Sequence, residues 1–213
     1  RLRDAQDDED RILAVVQGTA VNHDGHARTV TTPSGPAQRA MLQDALRNAQ
    51  LKPEQLTYLE THGTGTPLGD PIEVMAIARV LCQDRVDPLY IGSVKTNVGH
   101  LDAAAGIVGL MKVVLALQHK SIPAHLNYSE PNPRIPWNDW PLVVPTEPVS
   151  WAQERRFAGI SAFGMSGTNV HLIVGEPPEN GFEKAVRAED GLRDPDNASP
   201  RILPLSAQNP AAL

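Results

Sequence analysis

Cysteine is almost missing from this chain: Cys82 is the only one in 213 residues. One thiol excludes an intrachain disulfide and points to a reducing, cytoplasmic setting. Cys82 ends an amphipathic stretch (Ile72, Met75, Ala76 and Val80 precede it) and has no histidine or glycine turn beside it, so it reads as core packing. No serine stands in a nucleophile motif either, because Gly164-Met-Ser-Gly-Thr168 has threonine where a Gly-x-Ser-x-Gly elbow needs glycine. Membrane-length apolar runs are absent; the most apolar, Ala103 to Leu117, is too short to span a bilayer and contains Lys112. A buried helix fits it better, and no secretory leader is visible. A basic excess is lacking too: the formal charge of −6 argues against nucleic acid as a partner. Residues 176–199 hold −4 of that charge, which leaves the remainder nearly neutral. His23, His26, His119, His125 and His171 show no metal-ligand spacing, so no metal site is expected.

What is present suffices for a packed domain. Hydrophobic residues make up 41% of the chain, with 16 glycines, close to ordinary globular usage. Of the 19 prolines, seven (Pro123, Pro131, Pro133, Pro136, Pro141, Pro145 and Pro148) crowd one stretch, which predicts a long, ordered, non-helical connection. The chain opens on Arg1 and stops at Pro210-Ala-Ala-Leu213, which reads as a helix start, so a piece of a longer polypeptide is expected.

Arg11–Val21 is rich in β-branched residues and ends at the Asn22–Gly25 turn, which predicts a strand. Ser34 can cap a helix from Pro36 to about Gln50, with an apolar stripe through Met41, Leu42, Ala45 and Leu46. Thr57–Thr61 reads as a short strand running into a turn at His62; Asp70 as N-cap and Pro71 at the first helical position then predict a helix to about Cys82. Leu89–Val94 is another strand, followed by a Thr96–Gly99 turn and a long helix, Asp102–Lys120. Beyond the proline-rich connection, Leu142–Val144, Arg156–Phe163 and Asn169–Val174 read as strands, the last two as an antiparallel hairpin around 164–167. Strand, glycine turn and helix thus occur twice, which predicts a layered α/β fold with functional residues at strand ends. From 176 to 199 the composition turns to charge and turn residues, a linker; Arg201–Ser206 looks like the first strand of another domain.

His62 and His100 occupy the two glycine-rich turns, in His62-Gly-Thr-Gly-Thr66 and Lys95-Thr-Asn-Val-Gly-His100. Paired imidazoles at strand tips suit the stabilisation of a developing oxyanion. A dinucleotide loop at Gly63–Gly69 is disfavoured by its extra residue, its proline, and a following strand that ends in lysine, not an acid.

The order and spacing of Asp10-Arg-Ile12, Ala20-Val-Asn22, Asp24-Gly25, Thr32-Pro33, Glu60-Thr-His-Gly-Thr-Gly-Thr66, Gly69-Asp70, Glu73, Gly92–His100, Ala104-Ala-Gly106 and Ser161–Asn169 resemble the C-terminal half of a ketosynthase (beta-ketoacyl synthase) domain from a type I modular polyketide synthase. The resemblance spans about residues 4–178 and departs mildly at Asp8-Glu9-Asp10, His23 and His26. It implies a thiolase-like α/β fold, a layered α-β-α arrangement with a mixed sheet, of which this chain is the second half. Residues 1–178 would belong to that half, 179–200 to a linker, and 201–213 to the start of an acyltransferase-side region. The implied activity is decarboxylative Claisen condensation of acyl and malonyl-type thioesters on acyl carrier protein. The cysteine nucleophile would come from the missing N-terminal half. The alternative is a catalytically incomplete structural half-domain that needs a partner fragment. The implied partners are that N-terminal half, the acyl carrier protein, an adjacent acyltransferase domain and a second copy in a homodimer. No bound cofactor is implied beyond the phosphopantetheine arm of the carrier protein, which is substrate carrier.

Residue by residue, the resemblance implies catalytic roles for His62, His100 and Lys95, with Glu73 as the ion-pair partner of Lys95. A helix start after His100 and the ammonium of Lys95 both disfavour imidazolium, so His100 is expected to act as a neutral donor. Thr64 and Thr66 either bind the phosphopantetheine arm or only stabilise their turn. Phe163 and Gly164 would supply a backbone N–H to an oxyanion hole, the phenyl ring gating the acyl pocket. Asn169 either ties that turn to the site or only stabilises the hairpin.

Overall fold

The computed structural model describes residues 1–25 and 32–178. The expected linker and the expected strand at 201–206 lie outside the described residues. A short helix, α1 (Leu2–Asp7), precedes strand β1 (Val15–His23). Then come α2 (Gly35–Ala49), β2 (Leu56–Glu60), α3 (Gly69–Leu81), β3 (Leu89–Gly92), the single turn α4 (Lys95–Val98) and α5 (Ala105–Gln118). Short strands β4 (Ser121–Ile122), β5 (Leu142–Val143) and β6 (Val149–Ser150) punctuate the proline-rich connection, and β7 (Phe157–Phe163) and β8 (Thr168–Gly175) close the fold.

Six strands form one mixed sheet in the order β1-β8-β7-β2-β3-β5. β7, β2, β3 and β5 run parallel, whereas β8 pairs antiparallel with both β7 and β1. Parallel strands need both faces covered. All five β2 residues are buried accordingly, and two apolar clusters sandwich the sheet. One takes Met41, Leu42, Ala45 and Leu46 of α2 with Ile77, Ala78 and Leu81 of α3. The other takes Val113, Ala116 and Leu117 of α5 with Tyr58, Ala158 and Trp151. The result is the expected α-β-α layering.

Local chemistry explains most boundaries. The Ser34 hydroxyl accepts from the Ala37 N–H at 3.3 Å, capping α2 as the sequence predicts. α2 lies so close to β1 that a Cβ on Gly18 would sit 2.5 Å from the Ala49 nitrogen, so only glycine fits there. α3 starts earlier than expected: its N-cap is Leu68, not Asp70. The capping oxygen comes from Thr66, whose hydroxyl accepts from the Gly69 N–H at 3.0 Å, and the Asp70 carboxylate instead accepts from the Gly65 N–H at 3.1 Å. β1 likewise begins at Val15, not Arg11, and the 96–99 turn is helical from Lys95, ending where Gly99 adopts φ +75°. The long helix forms after a 3-10 turn at Asp102–Ala104.

Two buried polar anchors hold the layers together. Arg85, 8% exposed, donates to the carbonyls of Leu81, Pro53 and Leu56, and so ties the end of α3 to the start of β2. Trp151, beyond the proline-rich connection, donates its indole N–H to the Thr57 hydroxyl at 2.7 Å. One face of α5 stays uncovered: Ile107, Met111 and Leu115 are each about half exposed, at successive helical turns. Among the described residues, no helix is long and apolar enough to cross a membrane.

Candidate active site

β2 delivers its C-terminal end to His62, and β3 leads through α4 to His100. Because β2 and β3 are parallel neighbours, both turns emerge on the same edge of the sheet. The two imidazoles meet edge to face, with ring centroids 5.6 Å apart and planes at 84°. The Phe163 ring, at the end of β7 beside β2, lies 5.2 Å from His62. The convergence expected from the sequence is therefore present.

Each histidine is oriented by a backbone amide. The Asp102 N–H donates to Nδ1 of His100 at 3.0 Å, and the Phe163 N–H faces Nδ1 of His62 at 3.4 Å. An accepting Nδ1 places the ring hydrogen on Nε2, so each neutral ring keeps one outward N–H donor. Burial, then Lys95, then His100, push His62 down to about 4. His62 is the partly buried ring of the two, and His100 the exposed one. Burial also pushes the Lys95 ammonium below its ordinary range, against the opposing charges of Glu73, Glu60 and Asp70.

Glu73 does not pair with Lys95 as expected. Its two oxygens accept from the backbone N–H groups of His62 at 2.7 Å and Gly63 at 3.0 Å, so it reaches the ammonium only through space. The reason is local: the His62-Gly63 turn points two backbone donors at α3, and a buried carboxylate takes the nearest donors it can reach. Burial pushes Glu73 up to about 7, partly offset by those two bonds. Gly63 permits the turn, since its φ is +47° and a Cβ would lie 2.6 Å from the Thr61 hydroxyl.

A cavity of about 470 Å³ opens over the rings, lined by His62, His100, Thr64, Thr66, Phe163 and Gly164 among others. The Thr64 and Thr66 hydroxyls lie 3.5 Å apart at its rim. A larger cavity of about 580 Å³ lies on the far side of the glycine turn, against Arg134 and Trp137 of the proline-rich connection. Neither imidazole lines it.

Two expectations narrow. The Gly164 N–H is committed to the Thr168 carbonyl at 2.7 Å, inside the hairpin, which leaves only the Phe163 N–H facing the rings. Asn169 does not line the cavity. Its amide nitrogen donates to Asp24 at 2.7 Å and Asn22 at 3.2 Å, because β8 pairs Asn169 directly opposite Asn22 of β1. It clamps the hairpin to β1 through Asn22 and through Asp24, and Asp24 itself lines the cavity.

Sequence reasoning assigns no role to Glu60 and Lys112, which form an ion pair at 2.9 Å with side chains 2% and 11% exposed. In the sequence Lys112 stands out only as an obstacle to a membrane span. A lone lysine in a buried apolar helix is itself a signal, since its ammonium needs a buried carboxylate. Burial also holds the Cys82 thiol up at about 11, far from the thiolate that nucleophilic attack requires.

Known proteins of similar sequence and structure point the same way. The family profile described as beta-ketoacyl synthase, C-terminal domain, matches residues 13–129, and the ketoacyl-synthetase C-terminal extension matches residues 131–213. The hybrid PKS-NRPS synthetase pytA of Aspergillus terreus is 42% identical over 218 residues, taking in 98% of this chain and 33% of that protein. Erythronolide synthase EryA3 of Saccharopolyspora erythraea is 50% identical over 183 residues, 84% of this chain and 6% of that protein. The solved ketosynthase from module 6 of the bacillaene synthase of Bacillus subtilis 168 superposes with a TM-score of 0.81 at 34% identity, covering 94% of this chain and 39% of that chain. The fold is therefore thiolase-like, and the chain spans a third or less of these curated relatives.

Proposed function

We propose a function from the premise that this chain belongs to the beta-ketoacyl synthase family and is the C-terminal part of a polyketide synthase ketosynthase. The reaction is condensation of two thioesters: the malonyl C–C bond breaks, carbon dioxide leaves, and the resulting carbanion forms a new C–C bond to an acyl group held as a cysteine thioester, whose C–S bond breaks to release the cysteine thiolate. Its costly species are an enolate and a tetrahedral oxyanion. His62 and His100 offer two Nε2–H donors on one cavity, with rings 5.6 Å apart, and that single observation carries the reading. A neutral donor suits the enolate, because it can hydrogen-bond strongly without first giving up a proton. Burial first, and then the positive charge of Lys95, keep His62 neutral.

The Thr64 and Thr66 hydroxyls at the cavity rim suit the phosphopantetheine arm of an acyl carrier protein. Cys82 is buried and held as a thiol, so the nucleophile comes from the N-terminal half of the domain, which also covers the apolar face of α5 at Ile107, Met111 and Leu115. By itself the chain is therefore catalytically incomplete. The relatives are large synthases, which supports a carrier protein and an acyltransferase domain as neighbours.

The test is carbon dioxide release from malonyl-carrier protein by the complete condensing domain. His62→Ala and His100→Ala should each lower turnover by about a hundredfold or more, the scale of losing one oxyanion donor. Unchanged turnover in both variants would remove the assignment.

A further inference from the structure

Below the two histidine turns lies a buried polar group that the reaction itself does not use. Glu60 ends β2, two residues before His62, and is 2% exposed. Its Oε2 accepts from the Tyr58 hydroxyl at 2.7 Å and pairs with Lys112 Nζ of α5 at 2.9 Å. Its Oε1 accepts from the backbone N–H of Val94, the residue before Lys95. Lys112 Nζ also stands 5.6 Å from the Tyr58 ring centroid. Room for the group is left by two glycines: a Cβ would lie 3.0 Å from the Tyr58 hydroxyl at Gly92, and 3.2 Å from Glu60 Cγ at Gly109.

An ion pair so deeply buried is a poor way to gain stability, since desolvation of both charges rivals their attraction and apolar replacements are often neutral. What this pair does have is position. One carboxylate grips the start of the Lys95 turn while standing on the strand that ends at His62.

We propose that Glu60, locked by Lys112 and Tyr58, is a positioning residue for the condensation, fixing the turn that presents Lys95 and His100 against the turn that presents His62. This rests on the reading of the histidine pair as oxyanion donors. Glu60 has an electrostatic effect as well: its negative charge opposes the desolvation of the Lys95 ammonium. Lys112, which does not line the histidine cavity, acts only through Glu60.

The experiment uses the complete condensing domain with malonyl-pantetheine thioester as probe. Three variants are compared: Glu60→Gln, Lys112→Arg, and the doubly neutral Glu60→Gln/Lys112→Met. Carbon dioxide release gives kcat and KM, NMR of ¹³Cε-labelled lysine follows the titration of Lys95, and thermal melts report folding. Glu60→Gln should lower kcat by about tenfold to a hundredfold with KM unchanged, the scale of a small misplacement of reacting groups. It should also move the Lys95 midpoint to lower pH. The double variant should fold and stay equally slow, whereas Lys112→Arg should keep wild-type turnover. Wild-type kcat in the double variant, or a Lys95 midpoint that does not move, overturns the proposal. Loss of cooperative folding in the double variant also overturns it, by making the pair a stability element. A wild-type domain that releases no carbon dioxide would sink the donor reading instead, and the Lys95 midpoint would still decide the role of Glu60.

Discussion

The ionisation of His62 can be tested quantitatively. In the folded protein its pKa falls from the ordinary 6.5 to about 4, with burial as the largest cause and Lys95 the next. The ring should therefore remain a neutral donor down to about pH 5, where an ordinary imidazole is almost wholly protonated. Replacing Lys95 by methionine removes the second cause and leaves the first, so the midpoint should rise but stay below 6.5. The linkage has a definite sign. Between pH 6.5 and 4 the unfolded chain binds a proton that the folded ring refuses, so the stability held above pH 6.5 is lost as the pH falls through that window. At about 1.4 kcal/mol per pH unit, the loss between pH 7 and 4.5 is at most about 2.5 kcal/mol, and less to the extent that water screens a partly buried ring. Glu73, raised to about 7, works the other way and favours the fold on acidification, while His171, lowered to about 3, adds to the loss. The difference between the wild-type domain and His62→Gln isolates the His62 contribution. Urea melts at the two pH values give that difference, and ¹³C NMR of the imidazole gives the midpoint. A wild-type midpoint near 6.5, a midpoint unmoved by Lys95→Met, or a stability difference below about 0.5 kcal/mol would refute the reasoning.

Further outcomes come from the packing. Arg85→Met should cost about 2–4 kcal/mol in a denaturant melt, because it strands the carbonyls of Leu81, Pro53, Leu56 and Pro88 that the guanidinium now satisfies; a change within about 0.5 kcal/mol would contradict its role as a staple. Gly159→Ala should cost about 1–3 kcal/mol, since the new methyl would lie 2.7 Å from the His171 ring, which the Ser161 hydroxyl holds at 2.9 Å. Unchanged stability there would mean that the ring yields.

How far the sequence shows this architecture depends on how local each signal is. The two strand–turn–helix units are legible because an apolar run meets a glycine turn within a few residues, and Ser34 is legible because its bond closes over three positions. Asp70 misled because a second capping oxygen, on Thr66, stands four residues earlier. The Glu73–Lys95 pair misled for another reason: matching opposite charges ignores backbone N–H groups, which compete for the same carboxylate. α1 carries no periodic signal, since none of its residues is buried. The Glu60–Lys112 pair bridges a strand and a helix from distant parts of the chain, so only the assembled sheet reveals it.

Both imidazoles take their orientation from main-chain amides, one at the mouth of a helix and one at the lip of a hairpin. Amides remain when side chains mutate. The walls around the rings can then change shape without re-aiming either one. A scaffold of this kind lets the lining of the cavity drift while the geometry of the two rings stays fixed.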